Sequence, residues 1–202
     1  MSDLKPEDVL DFWFGENRAE QPLIPEGGLQ RWFQKSPEFD ADIEARFGPH
    51  VVRGAAGSFD HWCETPEGRL ALVVLIDQFA RNTNRGKPDA FVGDAKTREL
   101  VEEAIASGDD LKLRPIERLF FYLPFEHAEN LNLQNRCVAL MKGLAASLEG
   151  EDAGAFDGFA KYAVEHQVII EEFGRFPHRN AALGRVSTPA ELEYLSKPGA
   201  GF

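Results

Sequence analysis

Between Phe156 and Phe173 apolar side chains recur at intervals of three and four: Phe156, Phe159, Ala163, His166, Ile170 and Phe173, followed by Gly174. That spacing lays one apolar stripe along an α-helix, and a glycine just past its end supplies the left-handed stop. The same logic predicts a helix over 6–14, with Pro6 near its start, acids in the first turn and Gly15 behind it. Phe39, Ile43 and Phe47 stand at i, i+4 and i+8 in a second helix, opened by Ser36-Pro37 and running to Gly48. Thr65-Pro66-Glu67 reads as a helix start for 66–80. Its apolar run over 70–76 also fits a buried strand, but the start signal and the lack of a partner strand favour helix. Further helices are predicted over 88–107 and over 115–122, the latter interrupted at Pro124. A long amphipathic one covers 130–148. A short terminal one is capped by Thr188, with Pro189 first inside it and Glu191 at its third position. Residues 16–28 are polar and rich in Gly and Pro, and read as a loop. The expectation is an all-α chain, one domain over 1–202, of about eight helices.

Composition narrows the class. The 202 residues hold 22 basic and 34 acidic side chains, a net charge of −12, with 43% hydrophobic residues. That is ordinary for a globular chain, and the acidic surplus argues against a nucleic-acid partner, which needs clustered Lys and Arg. Two cysteines, Cys63 and Cys137, are too few for a disulfide framework and point to a reducing, cytoplasmic setting. The first eight residues show no basic segment followed by an apolar stretch, so no secretory leader is expected, and the longest apolar run is far too short to cross a membrane. Sixteen phenylalanines suit a core of rings that need no hydrogen-bond partner.

Candidate chemistry lies where charge meets apolar surroundings. In Asp77-Gln78-Phe79-Ala80-Arg81-Asn82 the acid and the arginine are i, i+4, the favourable order for an ion pair; the segment reads either as a dipole-complemented helix end or as part of a ligand site. Around Pro124, which removes a backbone donor, His127 and Glu129 follow the break, with Gln134 beyond. Their i, i+2 spacing does not make a ready bidentate site, and a hydrogen-bonded structural histidine is the alternative. His166 falls on the apolar stripe and should be buried, as a neutral structural imidazole or as one projecting into a pocket. The last segment runs Arg175-Phe176-Pro177-His178-Arg179-Asn180 and on to Arg185. No acid occurs between Glu172 and Glu191. Arg175, Arg179 and Arg185 are planar forks suited to a carboxylate or phosphate, and the alternative is that they pair with the chain's own carboxylates.

Asp77-Gln78-Phe79-x-Arg81-Asn82, Tyr122-x-Pro124-x-x-His127-x-Glu129, His166, the run Phe173 through Asn180, and Gly184-Arg185-x-Ser187-Thr188 together resemble the bacterial domain-of-unknown-function family 924. Phe12-Trp13-Phe14-Gly15 and Arg31-Trp32-Phe33 fit the same pattern, so the resemblance covers nearly the whole chain. It implies a fold similar to tetratricopeptide-like right-handed α-α superhelices. Ala80 stands where the family usually has Pro, which bears on how sharply the helix ends before Arg81.

Two functions compete on these residues, ahead of a metal site built from His127, Glu129, His166 and His178. One is a pocket for a small anionic molecule, with enzymatic activity left open. In it Asp77, Gln78, Arg81, Asn82, Gln134, Arg175, Arg179, Asn180 and Arg185 would bind, and His127, Glu129, His166 and His178 are the catalytic candidates. The other is an interaction scaffold for a peptide segment. No metal and no cofactor are expected: there is no HExxH, no CxxC, no phosphate loop and no dinucleotide fingerprint. Ser187 and Thr188 read as cap residues, and neither cysteine reads as a nucleophile.

Overall fold

The computed structural model describes residues 4–201; Met1, Ser2 and Asp3, which begin the stretch read as lacking a leader, and Phe202 lie outside them. Every regular element among the described residues is helical, with no strand among them. They fall into two compact units, one of residues 4–85 and 89–124, the other of 86–88 and 125–201. No helix among the described residues is long and apolar enough to cross a membrane.

The first unit opens with α1 (Pro6–Phe14), stopped by Gly15 at φ +93°, a conformation that side chains with a Cβ rarely adopt. A short α2 (Gly28–Phe33) follows where the sequence showed only the end of a loop. It exists because Trp32 is drawn inward, its indole N–H donating to the Trp13 carbonyl at 2.9 Å while its ring packs 5.0 Å from Phe120. Helix α3 (Pro37–Ala55) has Ser36 as its cap and runs beyond the predicted end at Gly48, carrying Pro49 inside it. Ile43, Phe47 and Val51 bury the i, i+4, i+8 face, and this apolar anchorage offsets the one helical hydrogen bond that the proline removes. The aromatic core of this unit joins Phe12, Trp13, Phe47 and Phe79, with Phe47 and Phe79 centroids 4.7 Å apart.

The most apolar segment forms α4 (Pro66–Val73), a π-helical stretch (Val74–Phe79) and α5 (Ala80–Thr83), one continuous rod. Thr65 caps it through Gly68 N–H, as the sequence predicts, and with Ala80 in place of proline the rod continues past Arg81. A π turn is wider than an α turn, so neighbours must give way. Glycines do so on two sides of Ile76. A Cβ on Gly93 would stand 2.1 Å from the Ile76 carbonyl oxygen, and one on Gly54 would stand 2.7 Å from the Ile76 side chain. Gly93 also splits the helix expected over 88–107 into a 3-10 turn (Pro88–Phe91) and α6 (Asp94–Ser107).

Helix α7 (Pro115–Glu126) continues through Pro124 instead of ending before it. Proline there removes one N–H, yet the buried run from Leu119 to Phe125 keeps the backbone helical. In the second unit α8 (Leu131–Ala146), capped by Asn130, packs along α9 (Gly150–Phe173). Gly174 terminates α9 at φ +68°. A 3-10 turn (Pro177–Arg179) and α10 (Pro189–Leu195) follow, α10 opened by the predicted Thr188–Glu191 capping box.

Candidate functional site

In the first unit the π-helical stretch delivers Asp77 and Gln78 inward. The Asp77 carboxylate is fully buried; it accepts from Gln78 Nε2 at 2.7 Å and faces Arg81 Nη1 at 2.8 Å. Arg81 Nη2 donates to Asp94 at 2.9 Å. Burial alone would lower the Arg81 pKa, but Asp77 and Asp94 raise it above the ordinary value, so the guanidinium stays charged. Asn82 Nδ2 donates to Asp40 at 2.7 Å, and Arg85 grips the same carboxylate with two bonds of 2.6 and 3.0 Å. Burial pushes the Asp40 carboxyl up; the bonds from Arg85 and Asn82 outweigh it and hold the pKa below normal. Two carboxylates thus flank the one guanidinium of Arg81, a field that repels an incoming anion. Asp77, Gln78, Arg81 and Asn82 knit α3, α6 and the π-helical rod together.

The second unit holds the rest. Arg175 lies along Glu191, Nε to Oε1 at 2.6 Å and Nη2 to Oε2 at 2.8 Å, and also donates to the Val186 carbonyl. Glu191 is held down to about 2 by Arg175 first and then by the Thr188 N–H. Asn180 Nδ2 reaches Ser187 Oγ and Glu191 Oε2, which closes the loop between the 3-10 turn and α10. Arg185 meets Glu129 through two bonds, and Glu129 also accepts from the Phe176 N–H at 2.8 Å. Burial pushes the Glu129 carboxyl up, while Arg185 and the Phe176 N–H bring it net below its ordinary value, so it is ionised at neutral pH. Gln134 is fully buried and donates to the Glu126 and Ala128 carbonyls at 2.6 and 2.8 Å; its Oε1 has no hydrogen-bond partner.

Around Phe176 the remaining candidates gather. The Arg179 guanidinium lies over the Phe176 ring, 4.4 Å from its centroid, and the side chain is buried. His166 and His178 rings flank the same phenylalanine at 5.6 and 5.5 Å. His166 Nδ1 sits 3.0 Å from the Tyr162 carbonyl and 3.7 Å from Glu126 Oε1. Burial chiefly pushes His166 down to about 3, with His127, Arg179 and His178 adding repulsion. Burial and then Arg179 push His178 down to about 4. Both imidazoles are neutral at pH 7. A carbonyl only accepts, so His166 carries its proton on Nδ1 and presents Nε2 as an acceptor.

Arg179, His166 and His178 therefore share one aromatic-walled cluster, with His127 in electrostatic reach. Arg175, Asn180 and Arg185 fasten the surrounding loop, and Glu129 serves Arg185. Sequence reasoning missed Phe176 as the platform, Glu126 and Tyr162 as neighbours of His166, and Glu191 as more than a cap residue. The signal for Glu191 was present: it is the acid that closes the acid-free stretch after Glu172. Among the described residues no group of three or more His, Cys, Asp or Glu is placed to hold a metal ion. Cys137 is buried, its thiol pushed well above the ordinary value by burial, and Cys63 is half-buried and also raised.

Residues 9–199 match the family model described as "Bacterial protein of unknown function (DUF924)". A solved structure of a protein of unknown function from Agrobacterium tumefaciens is similar, with 36% identity and a TM-score of 0.77 over 95% of this chain and 96% of that one. No curated protein is significantly similar to the chain.

Proposed function

Since the chain belongs to the DUF924 family of bacterial proteins of unknown function, we propose, from its own geometry, that its second unit binds a small carboxylate- or phosphate-bearing molecule at Arg179. The observation that carries this reading is the Phe176 platform. It presents a buried guanidinium beside imidazoles kept neutral by burial and by that same positive charge. A guanidinium fork suits a planar or tetrahedral oxyanion, and neutral histidines add hydrogen bonds without a second charge to desolvate. Held down to about 3 and about 4, His166 and His178 are weak bases at pH 7, and in this reading they hold and orient the ligand. Arg175 and Arg185 support the site from outside: their carboxylate partners fix the loop that carries Arg179.

Thermal unfolding tests the reading. A ligand at 100 times its dissociation constant stabilises the fold by roughly 2.7 kcal/mol. Millimolar phosphate, sulfate or a dicarboxylate is expected to raise the melting temperature above chloride at matched ionic strength. Arg179→Ala should remove the response and Lys161→Ala, on the exposed side of α9, should keep it. Arg175→Ala should lower the starting melting temperature yet leave the response. No response to any anion would end the pocket reading in favour of a peptide-binding scaffold.

A further inference from the structure

Helix α10 ends at Leu195, and the chain then turns back on itself. Lys197-Pro198-Gly199-Ala200 makes a tight turn, in which the Ala200 N–H donates to the Lys197 carbonyl at 3.2 Å and Gly199 takes φ +77°. Proline followed by a positive-φ glycine is the sequence chemistry of a type II reversal. The reversal returns Gly201 to Tyr194, whose Oη accepts the Gly201 N–H at 3.1 Å. Tyr194 itself packs against Phe173, 5.3 Å between ring centroids, and onto the buried cluster of Ile169, Ile170 and Phe176.

Gly201 lands on His178 of the 3-10 turn. A Cβ at Gly201 would stand 3.0 Å from the His178 Cβ and 3.7 Å from its Nδ1, and Gly201 has φ +89°. Its bare Cα therefore lies against one edge of the imidazole, in a place and a conformation that suit glycine. Two hydrogen bonds hold the segment, the one within the turn and the one to the Tyr194 hydroxyl, while residues 197–199 are exposed. A segment with so little buried apolar surface opens at far lower cost than the core beneath it. We propose that residues 197–201 form a strap, latched by the Tyr194 hydroxyl, that covers the His178 edge of the Phe176 cluster and lifts without α10 to admit small solutes there. This device stands whether or not an oxyanion binds at Arg179.

Acylation by diethyl pyrocarbonate, mapped by mass spectrometry on the full chain, reads the cover. In the unaltered chain His178 is expected to react more slowly than the exposed His61, and His166, 3% exposed, to stay unmodified. Tyr194→Phe keeps the ring and removes the latch. Losing one hydrogen bond of ordinary strength should speed acylation of His178 roughly two- to tenfold. Gly201→Val, which sets a Cβ against the imidazole, should act in the same direction. Leu192→Ser, on the exposed side of α10, should leave the rate unchanged. Protection of His166 in each variant shows that the opening is local. If His178 in the unaltered chain reacts as fast as His61, there is no cover and the proposal fails. A rate that neither Tyr194→Phe nor Gly201→Val changes would overturn the strap. So would reactivity that His178 gains, in both variants, only together with His166, since the segment would then open with the whole fold.

Discussion

Arg185 and Glu129, 56 residues apart, meet fork to fork: Nη1 to Oε2 at 2.6 Å and Nη2 to Oε1 at 2.9 Å. The pair fastens the loop after the 3-10 turn to the start of the α8 segment, and Glu129 also takes the Phe176 N–H, so it sets where the aromatic platform stands. Replacing Glu129 by Gln keeps the shape but loses charge and acceptor capacity. Glu129→Gln is expected to cost roughly 1–3 kcal/mol of stability, measured by urea unfolding. An unchanged midpoint would show that the loop stands without this pair.

His166 is buried on the α9 stripe with a bond from Nδ1 to the Tyr162 carbonyl. His166→Ala should destabilise by roughly 1–3 kcal/mol, through the cavity and the lost bond. Coincident denaturant curves for variant and parent would contradict its place on the buried face.

Stability should fall as pH falls. His166 titrates at about 3 and His178 at about 4 in the fold, against about 6.5 in the unfolded chain. Between those values the unfolded chain binds more protons, so stability rises with pH through this window and levels off above it. The loss from pH 7 to pH 5 is expected to reach up to ~2 kcal/mol from His166, with less from the more exposed His178. Chemical unfolding at both pH values checks this, and His166→Gln should flatten part of the slope. Equal stabilities at pH 7 and 5 would show that neither imidazole is held neutral.

Gly93 and Gly143 make a matched contrast. A Cβ at Gly93 runs into the Ile76 carbonyl, whereas one at Gly143, inside α8, meets nothing within 4 Å. Gly93→Ala should therefore destabilise by roughly 1–3 kcal/mol or more. Gly143→Ala should gain up to ~1 kcal/mol from helix propensity. Melting temperatures that move together would undo the steric account.

Protein purified without a metal-chelating tag is expected to carry well under one equivalent of zinc, iron, manganese or nickel, since no donor set among the described residues is arranged to hold one. Elemental analysis decides it, and a stoichiometric metal lost in His127→Ala would refute it.

Periodicity and capping chemistry made most helices legible: the stripe of α9, the Thr65 and Thr188 starts and the Gly15 and Gly174 stops are all local signals. What stayed hidden depended on tertiary partners. Pro49 and Pro124 mark breaks by local rules, yet buried apolar faces carry both helices through them. Gly93 breaks a helix because of a carbonyl seventeen positions earlier in the chain, which no window around residue 93 reveals. The site divided in the same way. The acid-free stretch announced a cationic loop, but its two possible fates, internal pairing or ligand contact, look identical along a chain. Arg175 and Arg185 pair with Glu191 and Glu129, and Arg179 lies over Phe176, a ring whose importance no spacing rule signals.

The π-helical stretch takes up one residue more than an α-helix would need to turn through the same angle. Each α-helical residue turns the chain by roughly 100°, and a wider π turn advances less per residue. The six residues Val74–Phe79 therefore leave the rod in nearly the phase that five α-helical residues would. Arg81 and Asn82 keep their aim at Asp94 and Asp40 in neighbouring helices, and the bulge re-aims only its own side chains, Asp77 and Gln78 among them. A single-codon deletion within the stretch should accordingly disturb the Asp77–Gln78 contact more than the Arg81–Asp94 and Asn82–Asp40 bonds beyond it.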